Sequence, residues 1–196
     1  MASETGSIKY ECIWERTDPF DIPQLNELDF CRTMLYKKGL IGAYTNGIGY
    51  GNISIRLEGN LFLITGTSTG HLPLLTNEHY TKVTGYHFTQ NQLTCQGPIK
   101  ASAESLTHAA VYECSSEVNA VIHIHSKMLW DKLIHQVPTT SVTVEYGTPE
   151  MALEIFRLFN ESDVKTRKVL VMAGHEEGII TFGRTLQEAL SVVLSL

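Results

Sequence analysis

The feature that constrains this chain most is an apolar segment with two histidines near its end, Asn119-Ala-Val-Ile-His-Ile-His-Ser126. Its apolar and β-branched residues predict a buried strand over residues 120–125. Because side chains alternate between the faces of a strand, His123 and His125 point to the same side. Two imidazoles held in this way are suited to bind a transition metal that takes one or two further ligands. A pair of hydrogen-bonded, half-exposed histidines at a strand end is the alternative interpretation.

A third metal ligand must come from elsewhere in the chain. His175 is the best candidate because it lies in a Gly-His turn that follows the apolar stretch Lys168-Val-Leu-Val-Met172. Four other histidines occur in less regular surroundings, where surface or packing positions are typical of this residue. These are His71, His79, His87 and His135. The histidine pattern therefore favours a site built from His123, His125 and His175.

Helical and extended patterns alternate along the chain. Cap signals and apolar spacing predict five helices, which begin near Asp21, Ser102, Lys127, Thr148 and Thr185. Period-two or apolar runs predict strands at 53–57, 61–65, 86–88, 92–95, 120–125, 140–145, 168–172 and 179–182. This order predicts an α/β fold with three layers, α/β/α, around a mixed and mostly antiparallel central sheet. A length of 196 residues fits a single domain over 1–196, with residues 1–20 as an N-terminal tail or edge strand.

Composition limits the partners that this chain can have. A formal net charge of −6 argues against broad binding to nucleic acid or to an anionic membrane. No apolar run reaches the length of about 20 residues that a membrane-spanning helix needs. The four cysteines form no CxxC pair, and the first ten residues lack a secretory signal pattern. We therefore expect a cytoplasmic protein that binds neither nucleic acid nor membrane.

Five short motifs, in this order and at compatible intervals, resemble the class II aldolase and adducin family. They are Gly51-Asn-Ile-Ser-Ile-Arg56, Ile64-Thr-Gly-Thr-Ser68, Ala101-Ser-Ala-Glu104, the His-x-His segment 119–126 and Gly174-His175. The family contains fuculose-phosphate and rhamnulose-phosphate aldolases, an epimerase and a dehydratase. The resemblance extends from about residue 21 to the end of the chain.

The resemblance implies a metal-dependent active site. It assigns His123, His125 and His175 as ligands of zinc or another divalent transition metal, with one coordination position open. It assigns Glu104 as the acid that moves a proton at the enediolate carbon. If the resemblance is set aside, Glu104 is interpreted as an acidic residue in the first turn of a helix, where it stabilises the helix dipole. His108, four residues further along the same helical face, orients Glu104 or the metal ligands, or else is a core histidine.

Two loops rich in glycine and hydroxyl groups fit the family's phosphate site. The resemblance implies that Gly51, Asn52, Thr67, Ser68 and Ser102 surround the phosphate of the substrate, with Gly51 allowing close approach of the backbone. Ser102 is also predicted to cap a helix whose N-terminus attracts anions. If the resemblance is set aside, the segment Gly47 to Gly51 is interpreted as a tight turn before a strand. The spacing of its glycines fits neither a dinucleotide-binding fingerprint nor a Walker loop.

The function implied is a zinc-dependent lyase that cleaves a small sugar phosphate or hydroxy-ketone by a retro-aldol step through a metal-bound enediolate. An epimerase, a dehydratase or a decarboxylase on the same scaffold is the alternative, as is a non-catalytic adducin-like assembly module. The resemblance also implies a homo-oligomer, normally a tetramer. Three departures from the family pattern are Ala101 in place of proline, Ala103 in place of serine, and a short segment 137–147, where Glu145 or Tyr146 replaces the usual tyrosine or acid. Because the sequence ends at Leu196, we expect the C-terminal lid to be missing.

Overall fold

The computed structural model describes residues 7–196, so Met1 to Gly6 of the predicted tail lie outside the described residues. Its strands are β1 (Glu11–Arg16), β2 (Gly42–Ala43), β3 (Gly49–Tyr50), β4 (Asn52–Arg56), β5 (Phe62–Thr65), β6 (Tyr80–His87), β7 (Gln92–Gly97), β8 (Ala120–His125), β9 (Val169–Val171) and β10 (Gly178–Gly183). Its α-helices are α1 (Gln24–Lys37), α2 (Ser105–Cys114), α3 (Lys127–Leu133), α4 (Pro149–Glu161), α5 (Val164–Arg167) and α6 (Leu186–Ser195). A short 3₁₀ turn spans Asn77–His79.

Eight strands form one sheet in the order β1-β7-β6-β5-β4-β8-β10-β9, and β2 pairs with β3 separately. Strand β1 lies at one edge and pairs in parallel with β7, whereas the other pairs in the sheet are antiparallel. Helices α2, α4 and α5 pack on one face, and α1, α3 and α6 pack on the other. The predicted three-layer fold with a mixed, mostly antiparallel sheet is confirmed.

Strand β8 lies inside this sheet and is buried along its whole length. Its alternating side chains serve both layers: Val121 joins the core beneath α2 and α4, while Ile122 and Ile124 join the core beneath α1 and α6. Because the two faces alternate, His123 and His125 share the α2 face with Val121. The pattern of burial along β8 thus fixes the direction of both imidazoles.

Two predicted helix caps are wrong. Helix α1 begins at Gln24 with Pro23 in the N-cap position, and Asp21 lies before it, because a proline disfavours helical geometry at the residue that precedes it. Helix α2 begins at Ser105 and has no side-chain cap. The Ser102 carbonyl, rather than its hydroxyl, accepts from the backbone N–H of Ser105. The pairing of Ala101 with Gly66 across a β-bridge keeps this part of the chain extended.

The predicted strand over residues 140–145 is also wrong, since this segment forms turns. The hydroxyl of Ser141 contacts that of Thr143 at 2.9 Å, and the backbone N–H of Ser141 donates to Glu154 on α4. Such side-chain bonds compete with the regular ladder of a sheet. The apolar residue at the centre of the segment, Val142, is 73% exposed. No helix within the described residues 7–196 is long and apolar enough to cross a membrane.

Helix α1 offers a direct test of the core on its face of the sheet. Leu28 is fully buried, whereas Phe30 on the same helix is 65% exposed. We expect Leu28→Ala to lower the free energy of unfolding by about 2–5 kcal/mol, because it leaves a cavity. Phe30→Ala is the matched control, with an expected change within about 0.5 kcal/mol. Urea unfolding measures both, and equal losses would contradict this assignment of the buried face.

Candidate metal centre

Three histidines meet where the α2 face of β8 reaches its C-terminal end. His123 and His125 come from β8, and His175 comes from the turn between β9 and β10. One ring nitrogen from each lies within 4.8 Å of the other two. The Nε2 atoms of His125 and His175 are 3.0 Å apart. A tetrahedral zinc ion with bonds of about 2.0–2.1 Å would separate its nitrogen ligands by about 3.3–3.4 Å, a value between the 3.0 Å of this pair and the 4.8 Å limit for the three together.

The turn that carries His175 is held by backbone hydrogen bonds. The N–H of His175 donates to Met172 at 3.2 Å, and the N–H of Gly178 donates to the His175 carbonyl at 2.9 Å. A Cβ at Gly178 would lie 2.7 Å from Cδ2 of His175 and 3.2 Å from Nε2 of His123. Glycine is therefore required at position 178, because any side chain would enter the space between two of the histidines.

Burial lowers the pKa of His123 and His125 well below the ordinary value for histidine, and the neighbouring His175 lowers both further. Neutral imidazoles offer lone pairs, which is the form that binds a metal. Among the described residues, Nε2 of His123 is buried without a hydrogen-bond partner. A bound cation would satisfy this atom, so the donor set fits a divalent metal.

Each of the two strand histidines has a polar neighbour at its other ring nitrogen. Nδ2 of Asn52, which lies directly opposite His123 in the sheet, is 3.4 Å from Nδ1 of His123. The hydroxyl of Tyr44 is 2.7 Å from Nδ1 of His125 and donates to Glu177 at 2.8 Å. Such outer partners commonly fix the orientation of metal-binding imidazoles by accepting from the other ring N–H. The Tyr44 oxygen can accept as it stands, whereas Asn52 can do so only with its amide oxygen turned toward His123.

Glu104 lies beside the three histidines, just before α2. Its Oε1 is 3.5 Å from Nε2 of His175, and its Oε2 accepts from the hydroxyl of Thr107 at 3.0 Å. Its side chain is 5% exposed. Among the described residues that line the cleft, it is the one carboxyl group. Glu104 is therefore placed to hold or move a proton next to a group bound at the histidines.

The residues predicted to surround a phosphate line the same cleft as the histidines. They are Gly51, Asn52, Thr67, Ser68 and Ser102. Gly51 has φ +75°, and a Cβ there would meet Ile41 at 2.7 Å, so glycine is needed. The described lining contains no lysine and no arginine. Any anion in this part of the cleft would therefore be held by backbone N–H groups, hydroxyls and amides.

His108 lies deeper than the sequence suggested. Its Nδ1 is 2.7 Å from the hydroxyl of Ser54, which also contacts the hydroxyl of Tyr112 at 2.7 Å. The link from His108 to Glu104 is through the helical backbone, where the His108 N–H donates to the Glu104 carbonyl. Its role as a support for Glu104 or for the metal ligands stays a prediction.

Tyr146, which the sequence offered together with Glu145 as a replacement for the usual tyrosine or acid, lines the cleft with its ring centroid 4.5 Å from that of His175. Two other residues near the site escaped sequence reasoning. Arg32 on α1 is fully buried and donates to the carbonyls of Thr69 and Gly70, both at 3.0 Å, and to that of Leu72. An arginine on a helix face is normally solvated, so only its contact with a distant loop reveals its place. Tyr44 lies in the first glycine-rich stretch, but residue spacing in the sequence does not predict its contact with His125.

Residues 31–196 match the family described as Class II Aldolase and Adducin N-terminal domain. The chain belongs to this family. It is 34% identical over 176 residues to 3-oxo-tetronate 4-phosphate decarboxylase from Haemophilus influenzae, covering 79% of this chain and 74% of that protein.

Two solved structures share the fold. One is YgbL of Escherichia coli, described as a putative aldolase/epimerase/decarboxylase, with a TM-score of 0.62, 21% identity and coverage of 87% of this chain and 83% of that one. The other is L-fuculose-1-phosphate aldolase from Thermus thermophilus, with a TM-score of 0.59, 21% identity and coverage of 86% and 83%. The fold is therefore shared by proteins whose names refer to different reactions.

The metal site is tested by removing one imidazole. We expect the wild-type chain to bind one divalent ion and His123→Ala to weaken that binding by more than about 100-fold, since loss of a direct ligand should exceed the effect of an outer partner. His135→Ala, at an exposed histidine, is the control and should bind as the wild type does. Competition with a chromophoric chelator measures the affinity. Undiminished binding by His123→Ala would contradict the site.

Burial lowers the pKa of His108 to about 3, whereas an unfolded histidine titrates near pH 6.5. Below about pH 6.5 the unfolded chain therefore binds a proton that the folded chain does not, and stability falls as the pH drops toward 3. The slope of the unfolding free energy against pH should be smaller in His108→Gln than in the wild type, by up to about 1.4 kcal/mol per pH unit. Urea unfolding of the metal-free protein between pH 6 and 5 measures it. His87→Gln, at an exposed site, should leave the slope unchanged, and an unchanged slope in His108→Gln would refute the prediction.

Proposed function

We propose that this protein is a divalent-metal-dependent lyase, with zinc as the first candidate ion, that breaks a carbon–carbon bond beside a carbonyl group. The proposed substrate is a small phosphorylated oxo acid or hydroxy-ketone. The observation that carries the proposal is the set of three buried histidines with the carboxyl of Glu104 3.5 Å from one of them. Membership of the class II aldolase and adducin family supports the same assignment.

A divalent ion held by His123, His125 and His175 would supply Lewis-acid stabilisation of the negative charge that develops on the carbonyl oxygen. In both decarboxylation and retro-aldol cleavage, the electron pair of the broken bond moves toward that carbonyl, and the carbon left behind takes up a proton. Retro-aldol cleavage also removes the proton of the hydroxyl that becomes the aldehyde. Glu104 is the residue that we assign to this proton transfer. The hydrogen bond from Thr107 to Oε2 fixes the orientation of the carboxyl and leaves Oε1 on the side of His175.

The remaining cleft residues bind and orient the substrate. We assign its phosphate to the loop Thr67–Gly70 and to Asn52, Gly51 and Ser102, all in the lining of the cleft. Ser68 supports this assignment, because its φ of 59° is unusual for a residue with a side chain and such backbone turns can present successive N–H groups to an anion. The near-complete burial of the histidines and of Glu104 limits the access of water to the reacting atoms.

Decarboxylation is the first reaction to test, because the Haemophilus influenzae relative is named for the decarboxylation of a phosphorylated 3-oxo acid. Retro-aldol cleavage, which the sequence motifs favoured, is the second, supported by the fold shared with a fuculose-phosphate aldolase. Epimerase and dehydratase activities would use the same metal and Glu104 with other acids or bases. An adducin-like assembly module is the non-catalytic alternative, and the predicted homotetramer stays a prediction.

The metal-loaded protein should be incubated with a 3-oxo-tetronate 4-phosphate and, separately, with ketose 1-phosphates. Carbon dioxide release reports decarboxylation, whereas dihydroxyacetone phosphate and an aldehyde report retro-aldol cleavage. We expect Glu104→Gln to lower kcat by about 10²–10⁴-fold because the proton transfer is lost. Metal affinity should not change.

Glu58→Gln, at an exposed turn, is the matched control and should retain full activity. Full kcat in Glu104→Gln would remove Glu104 from the reaction. Failure of the metal-loaded wild type to cleave either class of substrate would count against the lyase and favour the assembly module.

A further inference from the structure

A chain of three polar side chains leads from the surface to the candidate metal centre. Oε2 of Glu177 accepts a hydrogen bond of 2.8 Å from the hydroxyl of Tyr44. The same hydroxyl lies 2.7 Å from Nδ1 of His125. The Glu177 side chain is 27% exposed, whereas that of His125 is 3% exposed. The three groups therefore connect a water-accessible carboxylate to a buried imidazole.

The chemistry of the three groups fixes the direction of both hydrogen bonds. The hydroxyl of Tyr44 donates to Oε2 of Glu177, and a tyrosine has only this one hydroxyl hydrogen to give. The oxygen of Tyr44 must then accept from His125, which places a proton on Nδ1 of that ring. A neutral imidazole with its proton on Nδ1 has its lone pair on Nε2. This is the atom of His125 that faces His175.

We propose that Tyr44 and Glu177 are positioning residues that hold His125 in the ring orientation and tautomer required of a metal ligand. The inference rests on the metal binding proposed above and adds two residues that the family motifs do not include. Glu177 acts through Tyr44, because its negative charge polarises the hydroxyl and makes the tyrosine oxygen a stronger acceptor for the His125 N–H.

The backbone around these residues supports the assignment. Tyr44 lies at the tip between β2 and β3, where its N–H donates to the Ile48 carbonyl at 2.9 Å. Strand β3 also contributes Tyr50, whose ring stacks on His125 with centroids 5.4 Å apart. The first glycine-rich loop, predicted only to approach a phosphate, therefore also packs two tyrosines against one histidine.

Glu177 is also held through its backbone. Its carbonyl accepts from the N–H of Ser126, the residue that follows His125. Its φ of 69° lies in the left-handed region, which is unfavourable for a residue with a side chain. The strained residue thus bridges the end of β8 through its backbone and reaches Tyr44 with its side chain. This double attachment explains how the conformation persists.

The inference is tested by measuring the affinity of the metal-free protein for Zn²⁺ and Co²⁺ by chelator competition. We expect Tyr44→Phe to weaken Zn²⁺ binding by about 10–100-fold, which is the usual effect of removing an outer hydrogen-bond partner. It should also change the visible absorption spectrum of bound Co²⁺, because a change in the orientation of His125 changes the ligand field at the ion. Tyr86→Phe is the matched control, since Tyr86 donates an equivalent 2.8 Å hydrogen bond to Glu113 elsewhere in the fold.

A double-mutant cycle separates positioning from a general loss of structure. Glu177→Gln alone should weaken Zn²⁺ binding, but it should cause no further loss when Tyr44 is already phenylalanine, because the carboxylate acts through the hydroxyl. The unfolding free energy of each metal-free variant is measured in parallel. If the losses of Zn²⁺ affinity in the two single variants add up in the double variant, Glu177 does not act through Tyr44 and the proposal is wrong.

The outcomes separate this inference from the proposed function. If Tyr44→Phe binds Zn²⁺ as tightly as the wild type while His123→Ala does not, the positioning role is wrong and the metal centre stands. If the wild type itself binds neither metal, the metal centre fails and the positioning role fails with it. A loss of affinity confined to Tyr44→Phe and Glu177→Gln, with Tyr86→Phe unchanged, supports the inference.

Discussion

The register of β8 between its two antiparallel neighbours determines the geometry of the whole site. On one side His123 lies opposite Asn52 of β4, and on the other His125 lies opposite Gly178 of β10. A shift by one residue would turn both imidazoles to the opposite face of the sheet. The apolar residues between and beside the histidines prevent this shift, because each face of β8 is buried in its own core.

The parts of this structure that follow from local patterns could be predicted from the sequence. Alternation along β8 gave the shared face of His123 and His125, and the threonine caps at Thr148 and Thr185 accept from the backbone as predicted. Predictions failed where a distant contact overrode a local signal. The strand expected at 140–145 is replaced by turns that hydroxyl groups and Glu154 stabilise.

The candidate site shows the same division. Its histidines, Glu104 and the two glycine loops occur as short motifs, which the sequence alone indicates. Arg32, Tyr44 and Glu177 belong to no such motif. Each of them acts on a residue more than 35 positions away in the chain. Periodicity and spacing carry no information about contacts between residues so far apart in the sequence. The outer part of the site is therefore visible only in the three-dimensional structure.

One scaffold with several reactions is consistent with this arrangement. In the proposed function, the histidines and Glu104 would serve a step that these reactions have in common. The bond that is broken and the fate of the enolate would depend on which acids and bases stand around the substrate. The names of similar proteins include both a decarboxylase and an aldolase. For a chain of this family, the fold therefore does not identify the reaction or its product.

The buried guanidinium of Arg32 has a further consequence for the loop above it. Because the N–H and C=O of a trans peptide point in opposite directions, drawing the Thr69 and Gly70 carbonyls toward Arg32 turns the N–H groups of Gly70 and His71 away from it. An anion bound at this loop, as proposed for the phosphate of the substrate, would meet oriented peptide dipoles rather than a mobile surface charge. Dipole fields fade over short distances, and the chain as a whole carries a net charge of −6. The loop would therefore hold such an anion at short range, by shape and hydrogen bonding.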